Sequence, residues 1–149
     1  PQVLLSNQRD LGDLMNDNFT FETTLKNVYK GGNNPCQFVE VLIQCKDDVI
    51  VLPLSAKTCV GELGLYAAGK QMMSKTEDLS GLGADLSEWT TLKVICKNKD
   101  MEVFVNGKKA IALTIPNKPA GIVGVQYRFN GVGAVKDTWF ENDSGKRVL

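Results

Sequence analysis

Cleaving a glycosidic bond takes two carboxyl groups held across a sugar, so the acidic residues within strand-like runs are weighed first. Glu22, Glu40, Glu62, Glu102, Asp137 and Glu141 lie on or near such runs, and each stands singly. Glu40 is the exception to watch, because Phe38, Val39, Val41, Leu42 and Ile43 around it are apolar. A carboxylate in such a run must be paired, exposed at an edge or set in a groove. No catalytic residue is assigned, except Glu40 if the chain is an enzyme. The chain has no histidine, which excludes Ser–His–Asp and Cys–His nucleophilic catalysis and histidine-containing zinc sites. Asp47, Asp48 and Asp78 lack the multi-carboxylate spacing of a calcium loop. Neither metal nor cofactor is expected, and the reading leans away from an enzyme.

Binding is the other chemistry these residues could do. An aromatic ring can stack on the apolar face of a pyranose while polar groups beside it meet the hydroxyls. Tyr66, Phe104, Tyr127 and Arg128 are the ligand-binding candidates, with Phe104 on the strand face opposite Val103 and Val105. Trp89 and Trp139 are expected in the core. The four cysteines, Cys36, Cys45, Cys59 and Cys96, include no C-x-x-C pair, so a zinc ribbon or thioredoxin-type motif is not expected. Whether any of them pair is left open. Cys45 and Cys96 fall inside apolar strands, where free thiols behave as small hydrophobes.

The elements that must position these groups are strands. Phe19, Phe21, Thr23 and Leu25 share one face of a run whose other face is Thr20, Glu22, Thr24 and Lys26, the period-two pattern of a half-buried strand. Residues 31–35, Gly-Gly-Asn-Asn-Pro, predict a loop. Cys36–Cys45 reads as a strand covered on both faces, and a Lys46–Asp48 turn leads into Val49–Leu54. A strand is predicted near Glu62–Ala68. Gly69–Glu88 is the least regular stretch, either a lid over a site or a crossing connection with one short helical turn. Alternation resumes at Thr91–Lys97 and at Met101–Val105. Asn106-Gly107 is the strongest two-residue hairpin signal, because a type I′ turn needs positive φ at both positions. Further strands are predicted at Ala110–Ile115, Ile122–Phe129 and Ala134–Phe140. About nine or ten short strands, with no useful helical period, predict a two-sheet antiparallel β-sandwich. Residues 1–149 are expected to form one domain.

With 149 residues, 43% hydrophobic and 23% charged, the chain can bury a core without help from metals. Seventeen basic residues balance seventeen acidic ones, and the lysines are scattered. No nucleic-acid partner is expected. No apolar run reaches the ~20 residues of a membrane span, so no membrane insertion within the chain is expected. The chain starts at Pro1 without a signal peptide and is expected to be a mature product or a piece of a larger anchored protein.

The segment from Glu88 through Trp89, Leu92 and Val94, then Val103-Phe104-Val105-Asn106-Gly107-Lys108, resembles the paired central strands of concanavalin A-like and laminin-G-like jelly rolls. Gly121 to Gln126 resembles the "G-x-I-G-L-Q" strand of a bacterial branch of glycosyl hydrolase-like domains, also described as 3-keto-disaccharide hydrolase-like. Asn18 to Glu22 is similar to the strand that opens such sandwiches. These motifs cover about two thirds of the chain. The resemblance implies a concanavalin A-like jelly roll and says little of activity. The retaining glucanases of this fold carry E-x-D-x-x-E on one strand face, and that motif is absent here.

The function expected is a non-catalytic, extracytoplasmic binding domain for a carbohydrate or glycan. The alternatives are a glycoside hydrolase-like enzyme of the same fold, and a structural or protein-interaction module.

Overall fold

The computed structural model describes residues 2–6, 18–28, 36–119, 121–142, 145, 147 and 148. Among them are twelve strands: β1 (Gln2–Ser6), β2 (Phe19–Val28), β3 (Phe38–Cys45), β4 (Val49–Ser55), β5 (Gly64–Ala67), β6 (Lys70–Met73), β7 (Thr90–Lys97), β8 (Asp100–Val105), β9 (Lys108–Thr114), β10 (Ile122–Asn130), β11 (Val132–Asn142) and β12 (Arg147–Val148). They form two antiparallel six-stranded sheets. Sheet A has the order β1-β10-β3-β4-β5-β6, and sheet B the order β12-β11-β2-β7-β8-β9. The predicted all-β sandwich is therefore the fold. The loop expected at residues 31–35 lies outside the described residues.

The period-two pattern has its cause in the layer between the sheets. Val39, Val41 and Ile43 of β3 and Ile50, Leu52 and Leu54 of β4 point inward from sheet A. They meet Phe21, Leu25, Leu92, Val94, Met101 and Val103 of sheet B. Burying one such side chain contributes about 1.5–3 kcal/mol, so a one-residue slip of any strand would turn its whole apolar set to water.

A cluster of three hydroxyls crosses this layer. The hydroxyl of Tyr127 on β10 lies 2.7 Å from Thr23 Oγ1 on β2 and 3.0 Å from Thr138 Oγ1 on β11, while the two threonines are 2.8 Å apart. Three hydroxyls that satisfy one another can be buried at little cost. Thr138 reaches them because β11 bulges between Lys136 and Trp139, with Asp137 at φ 51. A bulge re-aims the residue beside it. Close by, a Cβ on Gly133 would come within 2.2 Å of the Phe129 ring, so only glycine lets β11 cross Phe129 there.

The segment after residue 69 makes one more strand than expected, β6, then a 3₁₀ turn at Ser80–Leu82, and passes from the edge of sheet A to sheet B. It is a crossing connection. Leu79, Leu82, Ala84 and Leu86 bury their side chains beneath it. Its backbone is pinned by Ala84 N–H donating to Ser55 O (2.9 Å) and Asn27 N–H donating to Leu86 O (2.6 Å). The turn at Asn106-Gly107 forms as predicted, with φ 51 and 80. Residues Lys57–Glu62, whose last residue was predicted to open a strand, form a second 3₁₀ turn, and β5 starts at Gly64. Cys59 in that turn is joined to Cys36 by a disulfide, with 5.8 Å between the Cα atoms.

Candidate functional site

Outward from sheet A, the same alternation that fills the core presents a second set of residues. In register across the strands stand Arg128, Glu40 and Pro53, and beside them Gln126, Leu42, Val51 and Tyr66. Leu42 and Pro53 are buried and form an apolar floor. The polar residues pair sideways across strands. Arg128 Nη1 donates to Glu40 Oε1 at 2.7 Å, Gln44 Nε2 donates to Gln126 Oε1 at 3.0 Å, and the Tyr66 hydroxyl donates to Asp48 Oδ1 at 2.9 Å. The hydrogen bond to the Asp48 carboxylate, aided by desolvation, holds the Tyr66 phenol above its ordinary value. Tyr66 is thus neutral and committed as a donor to Asp48, while a backbone hydrogen bond from Gly69 engages its oxygen.

At one end of this face Phe38, Glu40, Pro53, Glu62, Gly64 and Arg128 line a cleft of about 380 Å³. Cys36 precedes β3 and Cys59 precedes Glu62–Gly64, so the Cys36–Cys59 disulfide ties together two segments that lead into the cleft. Glu40 and Arg128 are about a third and two fifths exposed. An ion pair this open contributes at most about 1 kcal/mol to folding. It also leaves a second carboxylate oxygen and further guanidinium N–H groups to meet a ligand.

Of the candidate residues, the structure brings Tyr66, Arg128 and Glu40 onto this one face. Tyr127 differs. It is 4% exposed, points inward and is taken up by Thr23 and Thr138. Neighbours in a strand face opposite ways, so Tyr127 and Arg128 do not share a surface, and the phenol has no route to a ligand on either outer face. Phe104 is half-buried on the outer face of sheet B, in register with Lys93 and Lys109, away from the cleft.

The tryptophans also depart from expectation. Trp89 is 39% exposed. Trp139 lies on the outer face of sheet B, where its Nε1–H donates to Glu22 Oε2 at 3.1 Å and the Arg147 guanidinium sits 4.0 Å from its ring centroid. Both have polar or cationic partners that the core does not offer. Gln44 and Gln126 were not singled out from the sequence, and Asp48 was weighed there only as a calcium ligand. Two glutamines on distant strands carry no local signal, and only the β3–β10 register joins them. Cys45 and Cys96 are free and buried. Burial, with Asp48 and Cys96 adding, pushes the Cys45 thiol up to about 12, so it is inert as a nucleophile. Among the described residues no group of three or more His, Cys, Asp or Glu side chains could hold a metal ion.

No protein-family model matches the sequence, and no curated protein matches it. Solved structures do match. A galectin of Caenorhabditis elegans superimposes with a TM-score of 0.54 at 10% identity, over 92% of this chain and 93% of that one. The carbohydrate binding module CBM66 of Bacillus subtilis gives 0.58 at 11% identity, over 95% and 82%. A candidate glycosyl hydrolase of Parabacteroides distasonis gives 0.53 at 13% identity, over 85% and 72%. The fold is a concanavalin A-like jelly roll. At these identities the likeness is one of fold, and no site residue of this jelly roll is carried over from its neighbours.

Proposed function

We propose that the chain is a non-catalytic, extracytoplasmic domain that binds a neutral, hydroxyl-rich glycan on the outer face of sheet A. The observation that carries this reading is the set of laterally paired planar groups, Arg128–Glu40 and Gln44–Gln126, over the floor of Leu42 and Pro53. Each pair holds its partners in place and leaves unused donors and acceptors facing outward, the kind of fixed array that selects among sugar hydroxyls. Tyr66, next to Val51, offers the ring. Two of the structural neighbours are named as a galectin and a carbohydrate binding module, which agrees with this reading. The Cys36–Cys59 crosslink supports an oxidising compartment, and no helix among the described residues is long and apolar enough to cross a membrane.

A glycan array probed with the wild-type chain, Arg128→Ala and Tyr66→Ala tests the proposal. Binding to a neutral oligosaccharide should weaken about tenfold or more in Arg128→Ala, equal to about 1.4 kcal/mol, with folding stability lowered by less than about 1 kcal/mol. No binding to any neutral glycan, or full binding by both variants, would sink it.

One observation favours a second reading, a glycoside-acting enzyme: Glu40 and Glu62 line the same cleft, and glycosidases work with a carboxylate pair. Release of reducing sugar from an oligosaccharide panel, abolished by Glu40→Gln and by Glu62→Gln, would establish it. Absence of turnover by the wild-type chain rejects it.

A further inference from the structure

The outer face of sheet B holds an arrangement that neither the core nor the Arg128 cleft uses. The indole of Trp89, the residue before β7, is approached by two ammonium groups: Lys26 Nζ lies 4.8 Å from the ring centroid and Lys136 Nζ 4.2 Å. The negative face of an indole attracts cations, which brings both lysines to one ring. Among the described residues neither lysine has a carboxylate partner. Two like charges are therefore gathered without neutralisation, and an anion beside them would relieve their repulsion. In register with Lys136 stand Thr24 and Thr91, whose hydroxyl oxygens are 3.0 Å apart and supply donors on the same face.

Trp89 also lines a cleft of about 710 Å³, bounded by the crossing connection and the Asn106-Gly107 turn. That is in the range of ligand sites, about 300–1,000 Å³. Lys57 and Lys108 line the same cleft and have no carboxylate partner among the described residues. Lys109, also on its wall, is paired with Glu102 at 2.6 Å. Lys57 and Lys108 thus add two ammonium groups along the cleft that Trp89 lines, against Asp85 and Glu88 on its wall. Asp85 already accepts from Ser87 N–H and Oγ–H.

We propose that this is a second binding site, centred on Trp89, for an acidic saccharide. A carboxylate or sulfate ester of the glycan sits against Lys26 and Lys136, and the sugar lies in the cleft beside the indole. The inference rests on reading the chain as a glycan-binding domain, but uses the other sheet and other residues. A nucleic acid would need a long positive track, and a chain with formal net charge +0 and scattered lysines does not supply one.

In a Trp139→Phe background Trp89 is the only tryptophan, so its emission reports the site. It is titrated with a sulfated galactan tetrasaccharide, a galacturonate tetrasaccharide and the uncharged galactose tetrasaccharide. Calorimetry in an Arg128→Ala background, where the sheet A site is weakened, gives the affinities of the Trp89 site with both tryptophans in place. At least one acidic ligand should shift the emission and bind at least tenfold more tightly than the neutral one, and which of the two does so separates sulfate from carboxylate. Lys26→Ala with Lys136→Ala should remove that preference, whereas Arg128→Ala should leave it intact, even if the sheet A site proves inactive. Equal affinity for the neutral ligand, no response to any of the three, full affinity in the double lysine variant, or tighter binding of a single-stranded DNA oligomer would overturn the proposal.

Discussion

On sheet A the polar side chains that leave the core find one another. Arg128 takes Glu40, Gln44 takes Gln126, and Tyr66 takes Asp48. On sheet B some do the same, as in Lys109 with Glu102 and Arg147 with Glu141. Around Trp89, however, Lys26 and Lys136 are held by an indole face and, among the described residues, by no carboxylate. One sandwich therefore carries a face whose polar groups pair with one another across strands and, around Trp89, a cluster of lysines with no carboxylate partner among the described residues. The first suits a ligand that offers many neutral hydroxyls, the second a ligand that brings its own negative charge. Salt should follow the same division, because screening weakens exposed charge pairing far more than neutral hydrogen bonding.

The largest effect that could sharpen this contrast comes from the crosslink. Cys36→Ser with Cys59→Ser opens a loop of 23 residues in sequence separation and should lower stability by about 3 kcal/mol in urea unfolding. The Arg128 cleft, into which both tethered segments lead, should lose glycan affinity, while Trp89 emission on acidic ligands is retained. Equal losses at both sites would break the comparison.

Next is Tyr127→Phe, which removes one hydroxyl from the cluster that joins the sheets but leaves Thr23 and Thr138 to pair with each other. The expected cost is about 1–1.5 kcal/mol, with both sites unaffected, since Tyr127 serves the scaffold. Burial holds this phenol above its ordinary value of 10.0, an effect the Thr138 and Thr23 hydroxyls only partly offset. The unfolded chain therefore releases this proton first. The stability contributed by Tyr127 is complete below about pH 10 and is lost as pH rises through the folded value. Alkaline unfolding followed by far-ultraviolet circular dichroism should show that loss in the wild-type chain and a smaller one in Tyr127→Phe.

The smallest effect belongs to sheet B alone. Lys99, with φ 69, occupies the second position of the β7–β8 turn in a conformation that costs an L side chain. Lys99→Gly should raise the melting midpoint, by about 0.5–1 kcal/mol in stability, without touching either site. A drop would mean that the lysine side chain supports the hairpin in some other way.

How much of this was legible beforehand varies with the range of the interaction. The strands from Thr90 to Thr114 were read nearly whole, because their alternation and their turns are local properties. Cys45 and Cys96 were readable as buried thiols for the same reason. The Cys36–Cys59 pairing was not, since any pairing requires knowing which chain ends meet. Tyr127 and Arg128 were both read as ligand-binding candidates, although the period-two rule alone sets them on opposite faces. The tryptophans were placed in the core on size. What drew Trp139 outward is Glu22 on a neighbouring strand and Arg147 farther along the chain. What holds Trp89 is a lysine from each of two other strands.

By itself the sequence determined the class of fold, the central hairpins and the exclusion of histidine chemistry, because backbone pleat, turn geometry and composition act within a few residues. Only the tertiary structure decided which polar groups meet. The Arg128–Glu40 and Gln44–Gln126 pairs, the inward turn of Thr138 at the Asp137 bulge and the two lysines on Trp89 all join strands far apart in the chain. Their contacts depend on strand order and register, and these are settled by how the two apolar faces close on each other.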